Sequence, residues 1–280
     1  MDQQGSEVVI LGTAQDGGIP QIGCDCPHCK AAWKDESQRQ LVTSLAIVDQ
    51  GSKTFWLVDA SPDLREQIHS LADSYPRFSL GGILLTHAHI GHYLGLAALG
   101  RESWNRIGLP ILCTQQMGDF LRANQPWKQL VYLNNISLSM IAPGQKIVLG
   151  QALAVTPIAV PHRDELSDTM AFSIAGSTRR LTYCPDIDRW EGAILDEIMS
   201  ADIALLDGTF YSSDELPGRD VSEIPHPCIV DSMKTFEGYK TEIHFIHLNH
   251  SNPLLSDERL VRHINSLGFG MTSRGQRHPL

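Results

Sequence analysis

The chain has 280 residues, 42% hydrophobic and 19% charged, enough to bury a substantial core. Its net charge of −10 and lack of any basic run argue against a nucleic-acid partner. No apolar stretch approaches the roughly 18 residues of a membrane span, and the start MDQQGSEVVILG lacks the charged region and long apolar run of an export signal. The expectation is a single-domain cytoplasmic protein with no membrane contact, acting on a small-molecule or peptide-derived substrate.

In chain order, residues 7–13, EVVILGT, read as a short buried strand. A Gly- and Pro-rich loop follows at 14–30 and carries Cys24, Cys26 and Cys29. Residues 44–49 and 54–59 flank Gln50-Gly51-Ser52-Lys53, a hairpin signal. SPDLREQIHSLA, at 61–72, predicts a helix capped by Ser61, with Leu64, Ile68 and Leu71 on one face. GGILLT, at 81–86, is a buried strand, and YLGLAALGRESW, at 93–104, a helix with Leu96 and Leu99 inward. Strands follow at 146–150, 152–160, 170–176 and 180–186, then a helix near 190–199 and buried strands at 201–208 and 242–247. Residues 256–268 predict a helix ended by Gly268. Two halves in similar order, with no linker between them, predict one layered α/β domain over 1–280, its two sheets back to back and its helices outside.

Candidate metal ligands gather where predicted strands end. LLTHAHIGH, at 84–92, packs His87, His89 and His92 into a strand–helix junction. His162 follows TPIAVP, Asp186 follows LTYCP, and His247 follows IHFI. Imidazoles with one carboxylate leave a zinc or iron with open positions, and a water there loses its proton near neutral pH. A carboxylate between two cations can bridge them. His69, His263 and His278 stand alone and read as surface or core residues. The Cys24, Cys26 and Cys29 cluster reads as metal-binding in a reducing compartment. Three thiolates match a structural zinc lacking one ligand, for which His28 is poorly placed in so tight a turn. Cys113, Cys184 and Cys228 read as small buried hydrophobes.

THAHIGH resembles the HxHxDH signature of the metallo-β-lactamase superfamily, and ILGT, FWLVDASPD, VPH, YCPD and His247 follow in that family's order. The resemblance implies a four-layer αββα sandwich. It also implies a first cation on His87, His89 and His162, a second on His92 and His247, and Asp186 bridging the two. GTAQDGGIPQIGCDC, PHRDELSDT, PDIDRW and HLNHSNPLL look like the protein B family of pyrroloquinoline quinone biosynthesis. The CxCxxC loop is similar to that of the cyclic-phosphate phosphodiesterase of carbon–phosphorus lyase pathways. That likeness implies His250 as the fourth ligand of the structural zinc. Where the superfamily places an aspartate, this chain has Gly91. The expectation is an intact first site and a weakened, reshaped or empty second one, with Asp207 as one candidate substitute.

The leading functional expectation is a metal-dependent hydrolase of an ester or phosphodiester, with one or two Zn2+ or Fe2+ ions at the active site. Asp186 serves the catalytic centre, Arg163 can grip an anionic substrate, and His226 can act as acid or base. His226 lies in a Pro- and Gly-rich stretch, 217–227, that reads as a loop over the site, with plain surface exposure as the alternative for this histidine, and Asp188, Arg189 and Trp190 are candidates to shape the pocket. The quinone-cofactor resemblance implies a second reading, iron- and dioxygen-dependent hydroxylation of a tyrosine-derived precursor. Members of that family tend to lose the first two histidines and keep the Asp-His pair, and this chain does the reverse. A third reading, a non-catalytic metal-binding or carrier protein, has only Gly91 in its favour. A homodimer is compatible with all three. Export for antibiotic hydrolysis and transfer-RNA processing are disfavoured by the start of the chain and its acidic balance.

Overall fold

The computed structural model describes residues 5–215 and 225–280. The first half builds β1 (Ser6–Gly12), β2 (Ser44–Asp49), β3 (Thr54–Val58), β4 (Ser79–Leu84), β5 (Leu109–Cys113) and β6 (Ile136–Met140). The second builds β7 (Ile147–Val148), β8 (Ala154–Val160), β9 (Thr169–Ala175), β10 (Arg180–Cys184), β11 (Ile203–Asp207), β12 (Glu242–Ile246) and β13 (Phe269–Met271). A last strand, β14 (Arg277–Pro279), returns to pair with β1. Among the described residues the strands form two sheets, ordered β14-β1-β2-β3-β4-β5-β6 and β13-β12-β11-β10-β9-β8-β7.

Alternation along the strands explains the layers. Val8 and Ile10 of β1, Leu45 and Ile47 of β2, and Leu84 of β4 face Phe172, Ile174, Leu181, Tyr183 and Leu205 of the second sheet in one buried cluster. Their neighbours Val9, Ala46, Leu57 and Ile83 face outward onto a second cluster. There they meet Leu64 and Leu71 of α2 (Leu64–Ser74), Met117 of α4 (Gln115–Ala123) and Leu130 of α5 (Trp127–Tyr132). The second sheet's outer face, with Ala204, Leu206 and Phe245, packs on α6 (Ala193–Ser200), α7 (Ile229–Thr235) and α8 (Glu258–Ser266). A strand buried on both faces reads as a continuous apolar run, which is why SLAIVD and IALLD are recognisable. The arrangement is the expected four-layer αββα sandwich. Among the described residues no helix is long and apolar enough to cross a membrane.

The helix expected over 93–104 does not form. A single turn, α3 (Ile90–Tyr93), passes into a 3-10 stretch at Leu94–Leu99. Gly95 donates its N–H to Ala60 O at 2.9 Å, and Ala60 donates to His92 O at 2.8 Å. A side chain at residue 95 would strike the Ala60 and Ser61 carbonyls, so this segment is docked against the turn after β3 instead of standing off as a helix. Ser61 is likewise no helix cap: its Oγ accepts from Asp63 N–H and donates to Gln67 Oε1, and α2 starts at Leu64. A short helix, α1 (Pro27–Lys34), occupies the end of the expected 14–30 loop.

Candidate metal centre

The pairing pattern aims the donors at one edge. β1, β3 and β4 run in one direction in the first sheet, and β8, β10, β11 and β12 share a direction in the second. Asp16, Asp59 and the His87–His92 segment follow the C-terminal ends of the first set. His162, Asp186, Asp207 and His247 follow or close those of the second. Strand ends hold such groups on a rigid scaffold.

Two donor clusters result. His87 Nε2 lies 2.8 Å from His89 Nδ1, which lies 3.3 Å from His162 Nε2. His92 Nε2 lies 3.1 Å, and His247 Nε2 3.5 Å, from Asp186 Oδ2, while Asp186 Oδ1 stands 3.8 Å from His162 Nε2. Asp186 thus presents one oxygen to each cluster. Ligands about 2.0–2.1 Å from a tetrahedral zinc stand about 3.3 Å from one another, so both clusters have the right dimensions. His92 Nε2, His247 Nε2 and Asp186 Oδ2 are buried and make no hydrogen bond among the described residues. Leaving such an atom unpartnered costs about 1–3 kcal/mol. Several converging on one point are the mark of a cation site, and on this test the residues fit a metal.

The imidazoles are held from behind. Thr86 Oγ1 stands 3.0 Å from His87 Nδ1, Asp59 Oδ2 2.7 Å from His92 Nδ1, Asp188 Oδ1 2.8 Å from His162 Nδ1, and Thr209 Oγ1 3.0 Å from His247 Nδ1. Such partners fix ring tautomer and orientation, leaving Nε2 as the free donor. His89 is turned the other way, with Glu165 3.7 Å from its Nε2. Burial, with the neighbouring imidazoles, pushes His87 well below its ordinary range and His89 down to about 4. Both stay neutral, the form that ligates. Burial works to raise the Asp186 carboxyl, but His247 and His92 override it and hold it well below the usual range. Asp59 and His247 adopt left-handed backbone, φ 68° and 65°, a conformation that aspartate and histidine take more readily than most residues.

The space beside Gly91 is taken by a residue the sequence reading did not single out. Asp16, on the loop after β1, places Oδ1 3.3 Å from His92 Nε2 and 3.7 Å from His247 Nε2. Asp207, the substitute considered above, does not approach Gly91. Its Oδ2 accepts from His226 Nδ1 at 2.7 Å and its Oδ1 from Thr209 N–H at 3.0 Å. The carboxylate also accepts from Thr209 Oγ1 at 2.8 Å and from Ile187 N–H at 3.1 Å, and is committed to these partners.

His226 is buried rather than surface-exposed, and one of its ring nitrogens lies within 4.8 Å of donor atoms on His162 and Asp186. Burial opposes its protonation, but Asp207 prevails and raises it to about 8. The rest of the expected covering loop, residues 217–224, lies outside the described residues. Arg163 is exposed at the rim, in a cleft of about 340 Å³ shared with His162, Asp164 and Asp188. Asp188 takes a supporting place behind His162. Arg189 and Trp190 do not face the metal centre: Arg189 pairs with Glu191 at 2.7 Å, and the Trp190 indole N–H donates to Ser232 Oγ at 2.8 Å.

The cysteine cluster closes with one histidine. Cys24, Cys26, Cys29 and His250 bring their donor atoms within 4.8 Å of one another, and both Cys24 Sγ and Cys26 Sγ lie 3.5 Å from His250 Nδ1. His28 instead engages the His250 carbonyl and Ser256 Oγ, both at 2.8 Å. Cys113, Cys184 and Cys228 are buried and apart.

With this geometry in view, the model of the beta-lactamase superfamily domain matches residues 32–262. The chain belongs to this superfamily. It is 28% identical to coenzyme PQQ synthesis protein B of Methylobacterium sp. (strain 4-46), over 91% of this chain and 93% of that one. It is also 28% identical to the protein of the same name from Pseudomonas protegens, over 91% and 93%. The zinc-bound PqqB crystal structure from Methylobacterium extorquens superposes with a TM-score of 0.84 at 24% identity, covering 98% of this chain and 100% of that one. A diphosphatase of the PhnP family superposes with a TM-score of 0.73 at 22% identity, over 98% and 97%. The chain is therefore a PqqB-like member of the superfamily with the metallo-β-lactamase fold.

Proposed function

We propose that this protein is a metal-dependent hydrolase of an ester or phosphodiester bond in a small molecule. The observation that carries the reading is the complete three-histidine cluster joined through Asp186 to a second donor cluster. His87, His89 and His162 would hold the first cation, and His92, His247 and Asp186 would share in the second. Bound there, the cations supply an acidified water and Lewis-acid stabilisation of the negative charge that develops on the attacked centre. The protein's own groups do the rest. Asp207 keeps a proton on His226 at neutral pH; with Nδ1 engaged, the Nε2 proton is the one His226 can pass to a leaving oxygen. Arg163, at the rim cleft, can take an anionic substrate group in a bidentate grip. The structural likeness to a PhnP-family diphosphatase supports the phosphoryl branch of this reading. Cys24, Cys26, Cys29 and His250 would hold a separate structural zinc.

A second reading has an observation of its own, the likeness to coenzyme PQQ synthesis protein B along 91% of the chain. It is iron- and dioxygen-dependent hydroxylation of a tyrosine-derived precursor, since histidine–carboxylate sites accept zinc or iron. The deciding experiment is anaerobic purification without chelator or added metal, with zinc and iron counted per chain, followed by two assays. Zinc throughout and turnover of bis(p-nitrophenyl) phosphate or cyclic phosphodiesters support hydrolysis. Substantial iron and dioxygen uptake with tyrosine-like substrates, with no hydrolysis, replaces it by the oxidative reading.

A further inference from the structure

We infer that Asp16 is a ligand of the second cation, supplied by the loop after β1 in place of the side chain missing at residue 91. The inference rests on the two-cation reading above and names a donor that neither the His-rich segment nor its resemblance points to. Asp16 Oδ1 completes a ring of four donors with His92 Nε2, His247 Nε2 and Asp186 Oδ2, whose neighbouring separations are 3.3, 3.7, 3.5 and 3.1 Å. All four atoms are buried, and no other group among the described residues makes a hydrogen bond to them. Those neighbouring spacings are close to the roughly 3.3 Å between adjacent zinc ligands.

Gly91 is then a requirement of this arrangement and not a lost ligand. A Cβ built at residue 91 would stand 2.9 Å from Asp16 Cα and collide with Asp16 Oδ1. A backbone atom stands in the way, so a change of Asp16 rotamer does not relieve the contact. In this backbone a side chain at 91 is excluded whatever the rotamer at 16, so the carboxylate comes from residue 16. The second site is thus rerouted, and the expectation that Gly91 weakens it gives way to one of full occupancy.

The test is read by metal content. Wild type, Asp16→Ala, Asp16→Ser and Gly91→Ala are stripped with chelator, reloaded with zinc, dialysed and counted by mass spectrometry. The expected counts per chain are about three for wild type and about two for Asp16→Ala, Asp16→Ser and Gly91→Ala, the last because its Cβ displaces Asp16. Circular dichroism and retention of the cysteine-bound zinc report that each variant is folded. An Asp16→Ala protein that keeps the wild-type count overturns the assignment. Should Asp16→Ala fail to fold, a folded Asp16→Ser protein that keeps about three zincs overturns it equally. A His87→Ala/His89→Ala variant separates this from failure of the underlying reading: an unchanged count there removes the first site, whatever Asp16 does.

Discussion

At the scale of single residues, the site depends as much on what stands behind each imidazole as on the imidazoles. Asp59 is fully buried and accepts from Thr86 N–H at 2.8 Å, from Thr86 Oγ1, and from His92 Nδ1. Asp59→Ala strands those donors and frees the His92 ring. The expected cost is about 2–4 kcal/mol of stability in the chelated protein, and zinc affinity at the second site should fall roughly 10–100-fold. Denaturant unfolding and zinc titration read the two effects separately; an unchanged affinity would show that His92 needs no support. His226 makes a different prediction. A proton donor to the leaving oxygen matters most for poor leaving groups. His226→Gln should slow alkyl phosphodiesters by roughly 10²–10⁴-fold and barely affect nitrophenyl esters, measured as kcat for a leaving-group series. A uniform loss across the series would assign His226 to structure instead. The histidine cluster was legible in the sequence because ligands to one cation concentrate in a short segment at a strand end. Asp16 was not, because an acid between Gln15 and Gly17 in a loop has no periodicity. Its meaning appears only when the fold lays it against Gly91, 75 positions away.

At the scale of elements, the two loops that carry Asp16 and His247 are tied together. The 14–30 segment bears Asp16, Cys24 and Cys26, and the turn after β12 bears His247 and His250. Zinc on the cysteines and His250 would clip one loop to the other, close to the donors of the second site. Leu248 N–H donates to Thr13 O, and Gln15 N–H to Leu248 O, which continues the clip toward the sheets. Cys26→Ser should therefore remove one zinc per chain, lower the melting temperature, and also weaken binding at the second active-site position by displacing Asp16 and His247. Metal counting with zinc titration checks this, and loss of the structural zinc with intact second-site affinity would uncouple the two. The same scale shows where pattern reading fails. SLAIVD, IALLD and EIHFI were legible as strands because both or most of their faces are buried. The stretch from β5 to β6 gave no reading: LPILC carries a proline, and β6 alternates burial over only five residues. The segment at 93–104 has helical spacing of Leu96 and Leu99, yet its contact with the turn after β3 overrides that spacing.

At the scale of the whole molecule, the metal centre sits where the two sheets meet. Asp16, His87, His89 and His92 come from the first sheet, and His162, Asp186 and His247 from the second. The apolar cluster between the sheets holds their inner faces together. At the ligand edge buried histidines and carboxylates replace hydrophobic side chains, and without a cation that edge adds unpartnered polar atoms. A cation there acts as a crosslink between halves that are far apart in sequence. Binding only to the folded state, it stabilises by an amount set by its concentration, about 4 kcal/mol at a thousand times Kd. For a domain of this size that corresponds to a rise of roughly 6–12 °C in Tm. Calorimetry of chelated protein should show a single lowered transition that zinc restores. In a Cys26→Ser background, the part of the rise that survives belongs to the active-site cations alone. Two separated transitions after chelation would mean that the sheets unfold independently and that no crosslink joins them. A surviving rise abolished by His87→Ala and His162→Ala alike would place the crosslink on ligands from both sheets.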